Sequence, residues 1–189
     1  MALTLNQQVL VWASGQLGKS VGAGECWDLA DAALKQAGAG SSADFGPTGD
    51  DADYVWGTEV NDLKDAQPGD ILQYRDYLMT TKTTVDVTFD DQSGYESWSE
   101  ATDGRPHHTA IIATMPGNGA LTVLEQNHRG NHETVRRTAL RYSDAPAQVT
   151  RVRQLMKRKD NGKMQMAAVV TTVEVSVSGT LRAYRPKTK

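Results

Sequence analysis

The segment 108–127 constrains the fold most strongly, because it predicts a β-hairpin. Two runs of apolar and β-branched residues flank the turn sequence Pro116–Gly119. With a four-residue loop His108 faces Asn127, and a loop of only two residues keeps the same facing. Glu125 then lies diagonally across from His108 on the same face of the pair. The hairpin therefore requires an antiparallel sheet and places three polar side chains at one end of it.

The only cysteine, Cys26, stands at the predicted start of a helix that runs from Gly24 to Ala37. Backbone N–H groups are unpaired in the first turn of a helix, and the helix dipole there favours a thiolate. An earlier amphipathic helix is predicted from Thr4 to Leu17, with Thr4 and Gln7 as a capping box. Cys26 is therefore a candidate catalytic thiol.

The rest of the chain is predicted to be mostly β structure. A short helix is expected over 53–60, and a buried strand over 71–74. Segment 75–106 is long, polar and acidic, and is interpreted as an insertion that carries a hairpin or flap. Residues 128–189 are interpreted as a β-rich C-terminal extension. A chain of 189 residues suits one domain, so a single domain over 1–189 is expected.

Composition limits the classes of partner. Net charge is −3, and acidic residues dominate segment 40–103 while basic residues dominate 129–163. Both are interpreted as solvated faces, so no nucleic-acid partner is expected. No apolar run approaches the ~20 residues that span a bilayer, and the N-terminus lacks the pattern of a signal peptide, so no membrane contact is expected and localisation stays open. A single cysteine excludes an internal disulfide.

A cysteine hydrolase requires a thiolate, an imidazole beside it and a group that orients the imidazole. In this chain Cys26 supplies the thiol, and His108 is the candidate imidazole. Glu125 would hold the tautomer of His108, and Asn127 would assist its orientation. No cofactor and no metal ion are expected for this chemistry.

Four short motifs, which include these residues, follow one another along the chain: Gly24-Glu25-Cys26-Trp27, Pro68-Gly69-Asp70-Ile71-Leu72, His108-Thr109-Ala110-Ile111-Ile112 and Val123-Leu124-Glu125-Gln126-Asn127. The series resembles the CHAP family of cysteine, histidine-dependent amidohydrolases/peptidases and the related NlpC-like enzymes. The resemblance implies an α+β, papain-like fold in which N-terminal helices, including the helix of the nucleophile, pack on an antiparallel β-sheet. It also implies a catalytic set of Cys26, His108, Glu125 and Asn127 that cleaves amide bonds of peptidoglycan or peptides.

Two further features bear on the reactivity of the thiol and on substrate binding. Family members commonly carry Gln immediately before the cysteine, whereas this chain has Glu25, whose carboxylate would raise the pKa of the thiol if it points inward. The candidate substrate-binding residues are two tryptophans, one histidine and one glutamine: Trp27, Trp98, His107 and Gln126.

Two alternatives to hydrolysis remain open at this point. The four histidines (His107, His108, His128 and His132) could bind zinc as neutral imidazoles. Alternatively, the domain keeps the fold but catalyses nothing, and binds a peptide or glycan in the same cleft. Glu25 favours this second alternative.

Overall fold

The computed structural model describes residues 2–49, 51–130 and 132–189. By compactness the chain divides into two units. The first unit comprises the chain up to residue 78, followed by 104–143 and 177–189; the second comprises 79–103 and 144–176. The expectation of one domain over the whole chain stays a prediction.

Strands dominate the secondary structure. The described residues form three α-helices, one short 3-10 helix and seven strands. Their order is α1 (Leu5–Ser14), α2 (Cys26–Gln36), α3 (Ser42–Phe45), β1 (Thr58–Val60), the 3-10 helix (Leu63–Asp65), β2 (Ile71–Phe89), β3 (Gly94–Gly117), β4 (Ala120–Glu125), β5 (Arg136–Arg141), β6 (Ala145–Lys157) and β7 (Met164–Arg185). Among the described residues 50% are strand and 15% helix. None of these helices is long and apolar enough to cross a membrane.

The predicted fold class, a papain-like α+β fold with N-terminal helices packed on an antiparallel β-sheet, is wrong. The structure is mostly antiparallel sheet with few helices. The strands β2 and β3 run through segment 75–106, which is predicted to carry a hairpin or flap, and β6 and β7 lie in the C-terminal part, which is predicted to be β-rich. The short helix predicted over 53–60 is also wrong, since this stretch is extended and ends in β1.

The first helix is fixed at both its N-terminus and its side. Thr4 caps α1 in the predicted capping box with Gln7. Asn6, in the first turn, donates its Nδ2 to the Asp70 Oδ1 atom over 2.7 Å and to the Pro68 carbonyl over 3.2 Å. The turn before β2 is therefore tied to α1, and Gly69 lies against the α1 backbone.

The strands pair in the order β1-β7-β2-β3-β4-β5, and β6 pairs with β7. One face of this sheet in the first unit packs on α1 and α2. The cluster there includes Val9 and Leu29 from the helices with Ile111 and Leu124 from the sheet, and all four side chains are buried. Burial of such apolar side chains is the main stabilising contribution to the unit.

The predicted hairpin is confirmed. Strands β3 and β4 are antiparallel, with Ile111 opposite Leu124. Two register shifts occur nearer the turn, so that Gly117 is opposite Ala120 and the loop has two residues, 118–119. Each shift moves the pairing by one residue. Since side chains alternate between faces with a period of two residues, the two shifts together leave each side chain on its predicted face.

The second unit has a smaller core of its own. Val87 and Phe89 from β2 pack with Ala167 and Val169 from β7, and all four are buried. Strands β6 and β7 pair antiparallel along nearly the whole of β6, from Ala145 to Lys157.

Candidate functional site

A cleft of about 570 Å³ opens around the N-terminus of α2. Its lining includes the cysteine with its two neighbours, a second acidic residue and two aromatic rings: Glu25, Cys26, Trp27, Asp28, Tyr54 and His107. Cys26 is the first residue of the helix, as predicted, and its thiol is free. The first turn also carries Asp28, whose Oδ2 accepts a hydrogen bond of 3.0 Å from the Glu25 backbone N–H.

The environment of Cys26 disfavours a thiolate. Burial raises the pKa of the Cys26 thiol, and the negative charge of Glu25 raises it further. Hydrogen bonding from the Thr109 backbone lowers this pKa, but the net shift is upward from the ordinary value of 9.0. The Cys26 thiol therefore lies beside Thr109, the residue that follows His108. Because its pKa is raised, the thiol is neutral at neutral pH.

Aromatic rings form a continuous row behind the cleft, in which Trp56 is buried and the other three rings line the cleft. The ring centroids of Trp27 and Trp56 are 6.1 Å apart, those of Trp56 and Tyr54 are 5.7 Å apart, and those of Tyr54 and His107 are 5.6 Å apart. These separations lie within the range of favourable aromatic pairs. The Nε2 atom of His107 also lies 2.8 Å from the Ala52 carbonyl oxygen. The rings of Trp27, Tyr54 and His107 give the cleft an aromatic part of its lining, beside the carboxylates of Glu25 and Asp28.

The structure brings His108 and Glu125 together. The Nε2 atom of His108 lies 3.1 Å from Oε2 of Glu125, and both side chains are buried. The ring of His108 is also 5.8 Å from that of Tyr74. Because neighbouring residues of a strand point to opposite faces, His108 projects away from the face that carries His107 and Thr109.

A second partner of Glu125 is Arg105. Its Nε and Nη2 atoms donate to the two carboxylate oxygens, each over 2.9 Å, and both side chains are fully buried. Arg136 approaches the same carboxylate to 3.5 Å. Burial alone would raise the pKa of Glu125, but the hydrogen bonds from His108 and Arg105 outweigh it, so the pKa is lowered.

The imidazole of His108 is held neutral. Burial lowers its pKa below the ordinary value of 6.5, and the positive charge of Arg105 lowers it further. The hydrogen bond to Glu125 and the charge of that carboxylate act in the opposite direction but do not reverse the shift. Among the hydrogen bonds of residues 2–49, 51–130 and 132–189, none joins Cys26 to His108.

The chain after β4 holds the loop that precedes Cys26. Gln126 is buried and exchanges two hydrogen bonds with the backbone of Val21, and its Nε2 also donates to the Glu25 carbonyl over 2.6 Å. Asn127, with a φ of 56°, donates Nδ2 to the Oε2 atom of Glu25 over 2.6 Å. His132 lies 3.4 Å from the other carboxylate oxygen of Glu25.

The four predicted catalytic residues therefore fall into two groups. His108 and Glu125 form a hydrogen-bonded pair, whereas Asn127 contacts Glu25 beside Cys26. Their joint catalytic role stays a prediction.

The predicted substrate-binding residues also have different surroundings. Trp27 and His107 line the cleft, and Trp27 donates Nε1 to the Ser42 hydroxyl over 2.8 Å. Gln126 is buried under the cysteine loop. Trp98 belongs to the second unit, where it is 65% exposed. A substrate-binding role for these four residues is untested.

The histidines do not assemble a metal site. His128 contacts Glu133, with 2.9 Å between Nδ1 and Oε2, whereas His132 contacts Glu25. In the part of the chain that the structure describes, no three His, Cys, Asp or Glu side chains converge in a way that could hold a metal ion.

Three residues whose side chains contribute to this region are not predicted from the sequence. Arg105 lies three residues before His108 in a polar stretch, and nothing in its spacing links it to Glu125. Tyr54 was assigned to a helix. Gln73 accepts hydrogen bonds from Trp56 Nε1 and the Thr109 hydroxyl, and was predicted only as part of a strand. The position of this glutamine within an apolar run is the one signal that the sequence carries.

Comparison with known proteins identifies the domain. The family model described as "AIM3/BBC1 Cysteine proteinase-fold domain" matches residues 2–188. The protein "Altered inheritance of mitochondria protein 3" of Debaryomyces hansenii is 30% identical over 135 residues, which cover 64% of this chain and 13% of that protein. The chain thus spans a small part of its relative's length. No solved structure matches.

These matches support a cysteine proteinase fold, but they do not show membership of the CHAP or NlpC-like families. The family model extends over nearly the whole sequence. The chain therefore belongs to the AIM3/BBC1 cysteine proteinase-fold domain family.

Proposed function

We propose that this domain is a non-catalytic interaction module that binds a peptide in the cleft around Cys26. The observation that carries the proposal is that His108 points to the face of the sheet opposite Thr109, beside which Cys26 lies, and that no hydrogen bond among the described residues joins Cys26 to His108. The pKa of Cys26 is raised and that of His108 is lowered, so that both are neutral at neutral pH. A thiolate–imidazolium pair requires the opposite shifts.

The partners of Glu125 support the same conclusion. In a catalytic arrangement an acid stabilises the imidazolium that forms during the reaction. Here the Glu125 carboxylate already forms two hydrogen bonds with the Arg105 guanidinium, and the Arg105 charge opposes protonation of His108. The pair is therefore better suited to holding strands together than to stabilising a new positive charge.

The chemistry of the cleft suits a peptide. Its volume lies within the range of about 300–1,000 Å³ that small-ligand sites occupy. The aromatic rings of Trp27 and Tyr54 offer apolar contact, and the carboxylates of Glu25 and Asp28 offer acceptors for N–H groups. The relative from Debaryomyces hansenii is named for the inheritance of mitochondria and not for a hydrolytic reaction.

An array of mixed-sequence hexapeptides tests this function. The labelled domain is expected to bind a reproducible subset of peptides, and the Cys26→Ser variant is expected to bind the same subset. Trp27→Leu should weaken binding by about tenfold, since aromatic side chains carry much of the affinity in such contacts. Absence of a bound subset, or binding that Trp27→Leu leaves unchanged, would contradict the proposed site.

A cysteine amide hydrolase is the second candidate. It is favoured by the hydrogen bond between His108 and Glu125 and by the position of Cys26 next to the Thr109 backbone. Mass spectrometry of the same peptides, and of peptidoglycan fragments, after incubation with the domain separates the two candidates. Cleavage that Cys26→Ser abolishes would establish the hydrolase and refute the non-catalytic function.

A further inference from the structure

Strand β6 is an edge strand in the part of the chain that the structure describes, since it pairs with β7 alone. Its residues from 146 to 155 are all exposed. In an antiparallel pair, half of the backbone N–H and C=O groups of a strand point away from its partner. The outer edge of β6 therefore presents a row of hydrogen-bonding groups along a strand of 13 residues.

One face of the β6–β7 pair is unusually apolar for an exposed surface. Leu155 is opposite Met166, and the exposed fractions of these side chains are 59% and 38%. Met164, beside them in the register, is 59% exposed, and Val149 lies further along the same face at 45%. Of these side chains, Leu155, Met164 and Met166 are neighbours and form one exposed apolar cluster, a feature that marks interaction sites in soluble proteins. We call this surface the β6 face.

Basic side chains lie beside the apolar ones on the β6 face. Arg151, Arg153 and Lys157 share the side of β6 that carries Leu155, because they are separated from it by even numbers of residues. Arg153 is paired with Asp90 over 2.6 Å. Arg151 and Lys157 have no ion pair among the described residues. The β6 face therefore offers two uncompensated positive charges.

We propose that β6 is a docking site for an extended acidic polypeptide segment, which adds to its outer edge as a further strand. The backbone of the segment pairs with β6, its acidic side chains contact Arg151 and Lys157, and its apolar side chains contact Leu155. This surface lies in the second unit and is independent of the cleft around Cys26.

The positive charges of β6 favour an acidic polypeptide over a second copy of this chain, and the backbone edge of β6 favours it over a nucleic acid or a membrane. A second copy of the chain would place the same basic residues against one another, and like charges on paired strands are destabilising. A nucleic acid or an anionic membrane would match the charges of Arg151 and Lys157, but it would leave the backbone edge of β6 without strand partners.

The test uses the nine-residue peptide Thr-Glu-Thr-Val-Thr-Val-Thr-Glu-Thr, labelled with a fluorophore, whose glutamates and valines all lie on one face of an added strand. Fluorescence anisotropy is expected to show binding to the whole chain, and hydrogen exchange is expected to show new protection of the β6 amides. The double variant Arg151→Glu, Lys157→Glu should bind the peptide with an affinity at least about tenfold lower than that of the wild type. The matched control Lys19→Glu, which changes an exposed charge in the first unit, should bind as the wild type does.

Two further peptides make the result decisive. The same peptide with lysine in place of both glutamates should bind much less. Replacement of the central threonine and one adjacent valine by proline should abolish binding, because one of two successive N–H groups points toward β6 and proline has no N–H to donate. Equal binding of the acidic and basic peptides, no binding of either, or binding without protection of β6 overturns the proposal. It is also overturned by concentration-dependent dimerisation that buries β6, or by binding to phosphatidylserine vesicles in the absence of peptide binding.

Discussion

Glu25 controls the chemistry of its neighbour Cys26. Its carboxylate is held beside the cleft by Asn127, and its negative charge is one cause of the raised pKa of the thiol. Glu25→Gln should therefore lower the pKa of Cys26, because it removes a like charge from the thiolate. The ultraviolet absorbance of the thiolate, followed as a function of pH, measures the shift.

The control for that experiment is Glu174→Gln, which removes a carboxylate from the second unit. It should leave the titration of Cys26 unchanged. Burial, the largest cause of the raised pKa, is retained in the Glu25→Gln variant, so that only the contribution of the carboxylate is removed. An unchanged or raised pKa in this variant would contradict the electrostatic role of Glu25.

Arg105 and Glu125 form a buried ion pair, and removal of one member alone should lower the free energy of unfolding strongly. Arg105→Met leaves the carboxylate buried without its main partner, which typically costs about 3–5 kcal/mol in the free energy of unfolding. Arg153→Met removes one member of the exposed pair with Asp90, so it should cost at most about 1 kcal/mol. Urea denaturation measures both, and equal losses would contradict the account of the buried pair.

The double variant Arg105→Met, Glu125→Gln refines the test. It removes the buried charge together with its partner, so the domain should be more stable than Arg105→Met alone. If the double variant loses the sum of the two single losses, Arg105 and Glu125 do not interact.

Among the turns, Gly69 joins α1 to the sheet. Its φ is 89°, and a Cβ at this position would lie 2.2 Å from the Asn6 backbone oxygen. Gly69→Ala should therefore cost more than about 3 kcal/mol, because the backbone of α1 must move. Gly38→Ala at the end of α2 is the matched control: its φ is 73° with nothing within 4 Å, so it should cost only about 1 kcal/mol. Similar losses in thermal unfolding would show that the contact with α1 is unimportant.

The sequence was sufficient to predict α1, α2 and the β3–β4 hairpin, because each has a local pattern. Capping residues mark α1, and turn residues flanked by apolar runs mark the hairpin. The predicted register also holds near the site, where Ile111 is opposite Leu124. The extent of β3 was not predictable from periodicity, since most of its residues between 94 and 104 are exposed and polar. This is why the amount of helix relative to strand was misjudged.

The candidate site was only partly predictable for a related reason. The hairpin register places His108 diagonally across from Glu125 on one face, and their contact is present. The long side chain of Arg105 reaches the same carboxylate from a position that no spacing rule links to it. Side-chain reach and burial determine the protonation of His108, and neither can be inferred from the order of residues.

For the molecule as a whole, the stability should fall as the pH decreases from about 7 to 5. The pKa of His108 is lowered in the folded state, so below its ordinary value of 6.5 the unfolded chain binds more protons and is favoured. The lowered pKa of Glu125 adds a further loss below its ordinary value of 4.5. Urea unfolding at several pH values measures this slope.

His108→Gln should flatten the slope between pH 7 and 5, because the titrating group is gone. His132→Gln, which replaces an exposed histidine, should retain it. A stability that rises on acidification over this range would contradict the neutral state assigned to His108.

The central claim is that Cys26 belongs to a non-catalytic site, and its rate of alkylation by iodoacetamide tests this most directly. With a raised pKa, the thiol should react slowly at neutral pH, the rate should increase only above the ~8.5 of free cysteine, and His108→Ala should leave the profile unchanged. Rapid alkylation at neutral pH that His108→Ala abolishes would show an activated thiolate–imidazolium pair and would contradict the account.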